Sequence, residues 1–286
     1  MLGVVVASVF FAASASAATT TLGKAGGLKY VRAQGSVAAA GMVPTSAVAQ
    51  ARCGASEWRT TGGGVALVGS ARGSYLSQGS DSTHSWYGTG WHLAQPARTL
   101  STFGVCSKNA AISHHVHIES IPQAPPTSFG SATIDCAPGH VLGGGTLATA
   151  GDSDRFINTT NPRDSGADAN AIPDDGWQTY MTLLNGTGVS LLVYDICRNG
   201  PAPSYPQVKR NVDDKHALSV KARCTSGHVA GGGVYETGNP LTAHVASTRP
   251  IDTGDKDHIP DDGWSGTVFN DTGITQAVTV TAICIG

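Results

Sequence analysis

An all-β fold of three related units is the architecture this sequence predicts, and three observations carry the prediction. The first is composition: charged residues are 13% of the 286-residue chain, against about 25% in an ordinary soluble domain. Glycine contributes 37 residues, nearly twice the usual share of about 7%. The second is pattern, because no segment sustains an apolar period near 3.6, whereas runs such as Val189–Cys197 and Ile274–Cys284 alternate or stay apolar as strands do. The third is self-similarity. GHVLGGG at 139–145 returns as GHVAGGG at 227–233, and IPDDGW at 172–177 returns at 259–264. An apolar content of 40% argues against disorder, and a net charge of -2 lacks the basic excess expected of a nucleic-acid binder.

In chain order, residues 1–17 read as a secretory signal peptide. An apolar run ends in Ala15-Ser16-Ala17, an A-x-A cleavage site, and at about 12 residues it is too short to span a bilayer. No Lys or Arg precedes Lys24, so the usual cationic n-region is not in the sequence. Residues 18–45 read as a flexible arm outside the repeats, with one strand-like patch, Leu28-Lys29-Tyr30-Val31-Arg32. Repeat 1 (46–122), repeat 2 (123–205) and repeat 3 (206–286) follow. Each has the form C…GGG…GW…C, with a strand running into the first cysteine, as in SATIDC and LSVKARC, and another after the glycine triplet. A triplet of glycines in such a place marks a bulged or closely packed strand. A polar loop and a Gly-Trp hairpin come next, with Asn185-Gly186-Thr187-Gly188 and Asn270-Asp271-Thr272-Gly273 as its turns. The first repeat has diverged most. Gly90-Trp91 takes the Gly-Trp place, Arg59 stands where the others have His140 and His228, and no Pro-Asp-Asp is present.

Six cysteines suit an oxidising compartment. One lies on the first and one on the last strand of each repeat, so if those strands are neighbours the pairs are Cys53–Cys106, Cys136–Cys197 and Cys224–Cys284. This framework resembles the secreted Gly-Trp/Cys β-repeat proteins of actinobacteria. It is also similar, more distantly, to the β-prism of vitelline membrane outer layer proteins. The likeness covers about residues 46–286 and implies three disulfide-stapled repeats around a pseudo-threefold, β-prism-like body. It also points to adaptor or lectin-like subunits of secreted Streptomyces toxin particles as a functional class.

Candidate functional residues are few. Acidic loops hold Asp152, Asp154, Asp164, Asp168, Asp174 and Asp175 in repeat 2, and Asp252, Asp255, Asp257, Asp261 and Asp262 in repeat 3. They miss the EF-hand spacing, and turn formation is the simpler reading of them. His114-His115-Val116-His117 puts His115 and His117 on one strand face, but the further ligands a metal needs are missing. His140 and His228 recur at one repeat position, which suggests a structural hydrogen bond. Trp91, Trp177 and Trp264 read as core anchors, and Trp58, Trp86 and Tyr87 as surface aromatics. No G-x-S-x-G, H-E-x-x-H or spare cysteine with a histidine partner is present. The expectation is therefore a secreted, non-enzymatic interaction module without cofactor, metal or membrane span. It would dock a secreted protein partner through Leu28, Lys29, Tyr30, Val31 and Arg32, unless that patch adds to the protein's own sheet. The alternative expectation is a carbohydrate- or cell-wall-binding lectin-like protein.

Overall fold

A computed structural model describes residues 18–38, 45–69, 71, 74–92, 97–108, 111–122, 128–148, 155–166, 170–183, 189–237, 243–255 and 257–286. Residues 1–17, where a signal peptide is expected, Asp152, Asp154, Asp168 and the turn at 185–188 lie outside the described residues. Among the described residues the regular structure is all strand, and no helix is long and apolar enough to cross a membrane.

A short strand β1 (Thr20–Ala25) is followed by three sets of six. The first set is β2 (Leu28–Val37), β3 (Thr45–Arg52), β4 (Arg59–Leu67), β5 (Ser74–Ser82), β6 (Ser85–His92) and β7 (Arg98–Ser107). The second is β8 (Ile112–Ile121), β9 (Ser128–Asp135), β10 (His140–Ala148), β11 (Arg155–Arg163), β12 (Gly176–Leu183) and β13 (Val189–Arg198). The third is β14 (Gln207–Val212), β15 (Ala217–Arg223), β16 (His228–Glu236), β17 (Ala243–Ile251), β18 (Gly263–Asn270) and β19 (Gln276–Ile285).

The strands build three antiparallel sheets in a prism-like arrangement. Sheet 1 runs β1-β2-β7-β4-β17-β18-β15, sheet 2 runs β3-β6-β5-β10-β13-β8 and sheet 3 runs β14-β19-β16-β11-β12-β9. Each set sends its first, third and sixth strands to one sheet and its second, fourth and fifth to another. The sets are thus interleaved, and none of them owns a sheet. The seams are β4–β17, β5–β10 and β11–β16.

Two expectations need correcting. Of the expected arm 18–45, the described residues 18–38 do not lie outside the fold. β2 hydrogen-bonds along its whole length to β7, as β8 does to β13 and β14 to β19, so it is the opening strand of the first set. The repeat boundaries therefore fall before β2, β8 and β14, which moves the limits at 46 and 123 toward the N-terminus.

The glycine triplets explain how three sheets close around one axis. Each lies inside its strand, and each of these strands is bulged at the triplet, between Thr60 and Gly62, Val141 and Gly143, and Val229 and Gly231. The first glycines of the three triplets face one another in a ring. A Cβ on Gly62 would stand 2.7 Å from the Ala230 carbonyl oxygen, one on Gly143 2.5 Å from that of Thr61, and one on Gly231 would collide with that of Leu142. The second glycines leave room for the indoles of Trp86, Trp177 and Trp264, which are fully buried.

The first set thus uses Trp86, and not Trp91, as its Gly-Trp counterpart. Trp86 was expected at the surface, yet it packs on Gly63 as Trp177 packs on Gly144. The signal was in the sequence, because Trp86, Trp177 and Trp264 each stand 20 residues before the closing cysteine of their set. Trp58 is also covered, at 8% exposure, while Tyr87 is half-buried.

All three disulfides pair as expected, Cys53–Cys106, Cys136–Cys197 and Cys224–Cys284. The strands they join are not neighbours, however. β3 and β7, β9 and β13, and β15 and β19 belong to different sheets, so each bond ties two faces of the prism together.

Candidate ligand-binding face

The repeated polar residues hold the scaffold. His140 Nδ1 lies 2.6 Å from Asp174 Oδ2, and His228 Nδ1 lies 2.5 Å from Asp261 Oδ2, each joining the start of a glycine strand to the loop before its tryptophan. Backbone amides of Cys136 and Cys224 donate to Asp175 and Asp262 in those loops, and that of Cys53 donates to His84. The other loop carboxylates accept local amides: Asp175 from Ser165, Asp262 from Thr253 and Gly254, and Asp164 from Gly166. These are the bonds of turn-forming aspartates. Asp252, Asp255 and Asp257 gather in the exposed loop of the third set.

A second repeated contact was not foreseen. Tyr30 donates its hydroxyl to the Val229 carbonyl at 2.8 Å, and Tyr205 donates to Val141 at 2.7 Å. At the third corner His114 Nε2 makes the same bond to Thr60 at 2.9 Å, and burial pushes that imidazole down to about 4, so it donates as the neutral ring. The neighbouring histidines part company: His115 pairs with buried Asp195 at 2.8 Å and His117 with Glu119 at 3.3 Å. Burial raises Asp195 to about 6, with His115 opposing the shift.

The expected docking patch is mostly interior. Leu28, Tyr30 and Val31 are at most 2% exposed, and Lys29 donates its ammonium to the Cys53 carbonyl. Arg32 is the least buried of the five, and it lines the outer face of sheet 1. That face holds a groove of about 390 Å³. One row of it runs in register across six strands: Gln34, Ser101, Ala66, Ser247, Thr267 and Ser219. Within the row Gln34 donates to Ser101 at 3.2 Å, and the hydroxyls of Ser219 and Thr267 lie 2.8 Å apart. The next row carries charge. Arg32 stands opposite Phe103, and Arg249 and Lys221 both stand opposite Ser265. The Arg249 guanidinium lies 5.8 Å from the Phe103 ring. Arg223 adds a fourth cation two residues beyond Lys221 on the same side of β15.

No protein-family model matches the chain, and no curated protein matches it in sequence. The face must be read from its own chemistry, and its charge is one-sided. The seven strands of sheet 1 contain eight Lys or Arg residues and no Asp or Glu. Sheets 2 and 3 carry Asp81, Glu119 and Asp195, and Asp135 and Glu236, respectively. Among the described residues Arg32, Lys221, Arg223 and Arg249 form no ion pair. A rigid sheet bearing hydroxyls, an amide and unpaired guanidinium groups is equipped to receive hydroxyl-rich and anionic ligands.

Proposed function

We propose that the protein is an extracellular, lectin-like binding module rather than an enzyme, and that it holds an acidic glycan against the outer face of sheet 1. The observation that supports this most is the carboxylate-free sheet, whose unpaired cations flank a row of hydroxyl and amide groups. Sugar hydroxyls exchange hydrogen bonds with such a row, while carboxylate or sulfate groups meet the guanidinium forks. The three disulfides suit an oxidising, extracellular setting. The test is an array of neutral, uronic-acid and sulfated glycans, read at two salt concentrations. Binding to the acidic members that weakens with salt is expected, and the double variant Arg249→Ala/Lys221→Ala should bind about 10-fold more weakly, on the order of 1.4 kcal/mol. An array without signal, or one in which neutral glycans bind best, would overturn the reading.

A protein partner is the second reading, and it now rests on β8 instead of residues 28–32. β8 ends sheet 2 with one edge unpaired among the described strands, and it exposes Val116 at 52% and Ile118 at 60%. The matching edge of β2 is covered by β1. Recovery of a stoichiometric partner from culture supernatant, lost on Val116→Lys substitution, would favour it.

A further inference from the structure

Four residues at the corner between sheets 1 and 2 depart from the threefold pattern together. Lys29 stands opposite Cys106, and the matching residues opposite Cys197 and Cys284 are Ser113 and Ser204. Trp58 precedes Arg59, where the other sets have Gly139 before His140 and Gly227 before His228. Lys108 follows β7, where Asn199 follows β13 and Gly286 follows β19. Lys24 lies on β1, a strand with no counterpart among the described residues of the other sets. The loop from Cys53 to Arg59 is also two residues longer than its counterparts. Two corners of this chain fold without any of these side chains, so the fold itself does not call for them.

What they build is a cage of cations on one indole. The ammonium groups of Lys29, Lys108 and Lys24 lie 4.4, 5.2 and 5.6 Å from the centre of the Trp58 ring. Lys108 is paired with Glu57 at 3.1 Å, while Lys24 and Lys29 form no ion pair among the described residues. Beside the cage a pocket of about 340 Å³ is lined by Thr19, Thr21, Lys29, Arg52 and Gly54. Burial, then Lys24, pushes the Lys29 ammonium below its usual range. Like charges crowded at one corner repel one another, and an anion seated among them relieves that repulsion.

We propose that this corner is a binding site for an oxyanion group, the sulfate, phosphate or carboxylate of a ligand, held by Lys24, Lys29 and Lys108 beside Trp58. The site is separate from the groove on sheet 1, and its test does not depend on that reading. Sodium sulfate, sodium phosphate and sodium acetate are titrated at constant ionic strength into the mature protein. The Trp58 indole N–H resonance is followed, assigned by its loss in Trp58→Phe. At least one anion should shift this resonance saturably, and the order of the three names the preferred source. Lys29→Ser, which installs the residue the other two corners carry, and Lys24→Ala/Lys108→Ala should each weaken the response at least 10-fold. Arg249→Ala should leave it unchanged. A Trp58 signal that none of the three anions saturates, or an equal response in folded Lys29→Ser and Lys24→Ala/Lys108→Ala proteins, overturns the proposal.

Discussion

Trp86 is held less well than its two counterparts, and one side chain accounts for the difference. Trp177 and Trp264 donate their indole N–H to Thr160 and Thr248, at 3.0 and 2.8 Å. Gln78 occupies the corresponding place on β5 and is fully buried, and neither its amide nor Trp86 Nε1 finds a partner among the described residues. Gln78→Thr should stabilise the protein by about 1–2 kcal/mol, because it removes a buried unpaired amide and gives the indole an acceptor. Urea unfolding of the two proteins checks this, and a less stable variant would refute it. His244 makes a second case. Its ring is buried among Tyr75 at 4.5 Å, Phe156 at 5.5 Å and Phe269 at 5.5 Å, and burial lowers it to about 4. An unfolded chain takes up this proton near pH 6.5, so the folded state loses stability as pH falls from about 6.5 to 4, by up to about 3 kcal/mol. His114 has the same sign, and Asp195, raised to about 6, opposes them between about pH 4 and 6. His244→Phe, which copies Phe156 on β11, should flatten the pH 4–6.5 arm of the stability profile. An unchanged slope would remove His244 from the account.

At the scale of elements, the glycine strands β4, β10 and β16 act as one unit although they belong to three sheets. Gly143→Ala would press a methyl group onto the Thr61 carbonyl, which is backbone and cannot swing aside. The expected loss is about 3 kcal/mol or more, measured by denaturant midpoint. A loss below about 1 kcal/mol would mean that the ring of triplets is looser than its geometry implies. The disulfides act between elements as well. With sequence separations of 53 to 61 residues, each restricts the unfolded chain by about 4 kcal/mol. Each also ties a strand of one sheet to a strand of another, which the backbone ladders within a sheet cannot do.

The whole molecule carries a net charge of only -2, and that small value hides a segregation. Cations separated by up to 225 positions, from Lys24 to Arg249, come onto one sheet because the first and third sets share it. Their combined field is why salt sensitivity is the expected mark of the face. Local chemistry made the strands, the cysteine pairs and the His140 and His228 hydrogen bonds legible in the sequence, since each depends on neighbours or on a repeated spacing. The candidate sites were not legible. Lys29 and Arg32 stood out as charges beside Tyr30, but nothing local told that β2 lies inside a sheet, or that Tyr30 is covered by β16 while Arg32, on the same strand face, is left open. Trp58 read as a surface residue because its three lysines come from separate strands and loops. By itself the sequence determined an all-β chain of three related units, because alternation, turn residues and duplication are written along the chain, and its repeats favoured the right cysteine pairs although the strands concerned are not neighbours. Only the tertiary structure decided that the units interleave, that the glycines meet on one axis, and that the cations share a face. Those outcomes follow from which strands pair across the seams, a choice made by distant segments packing together.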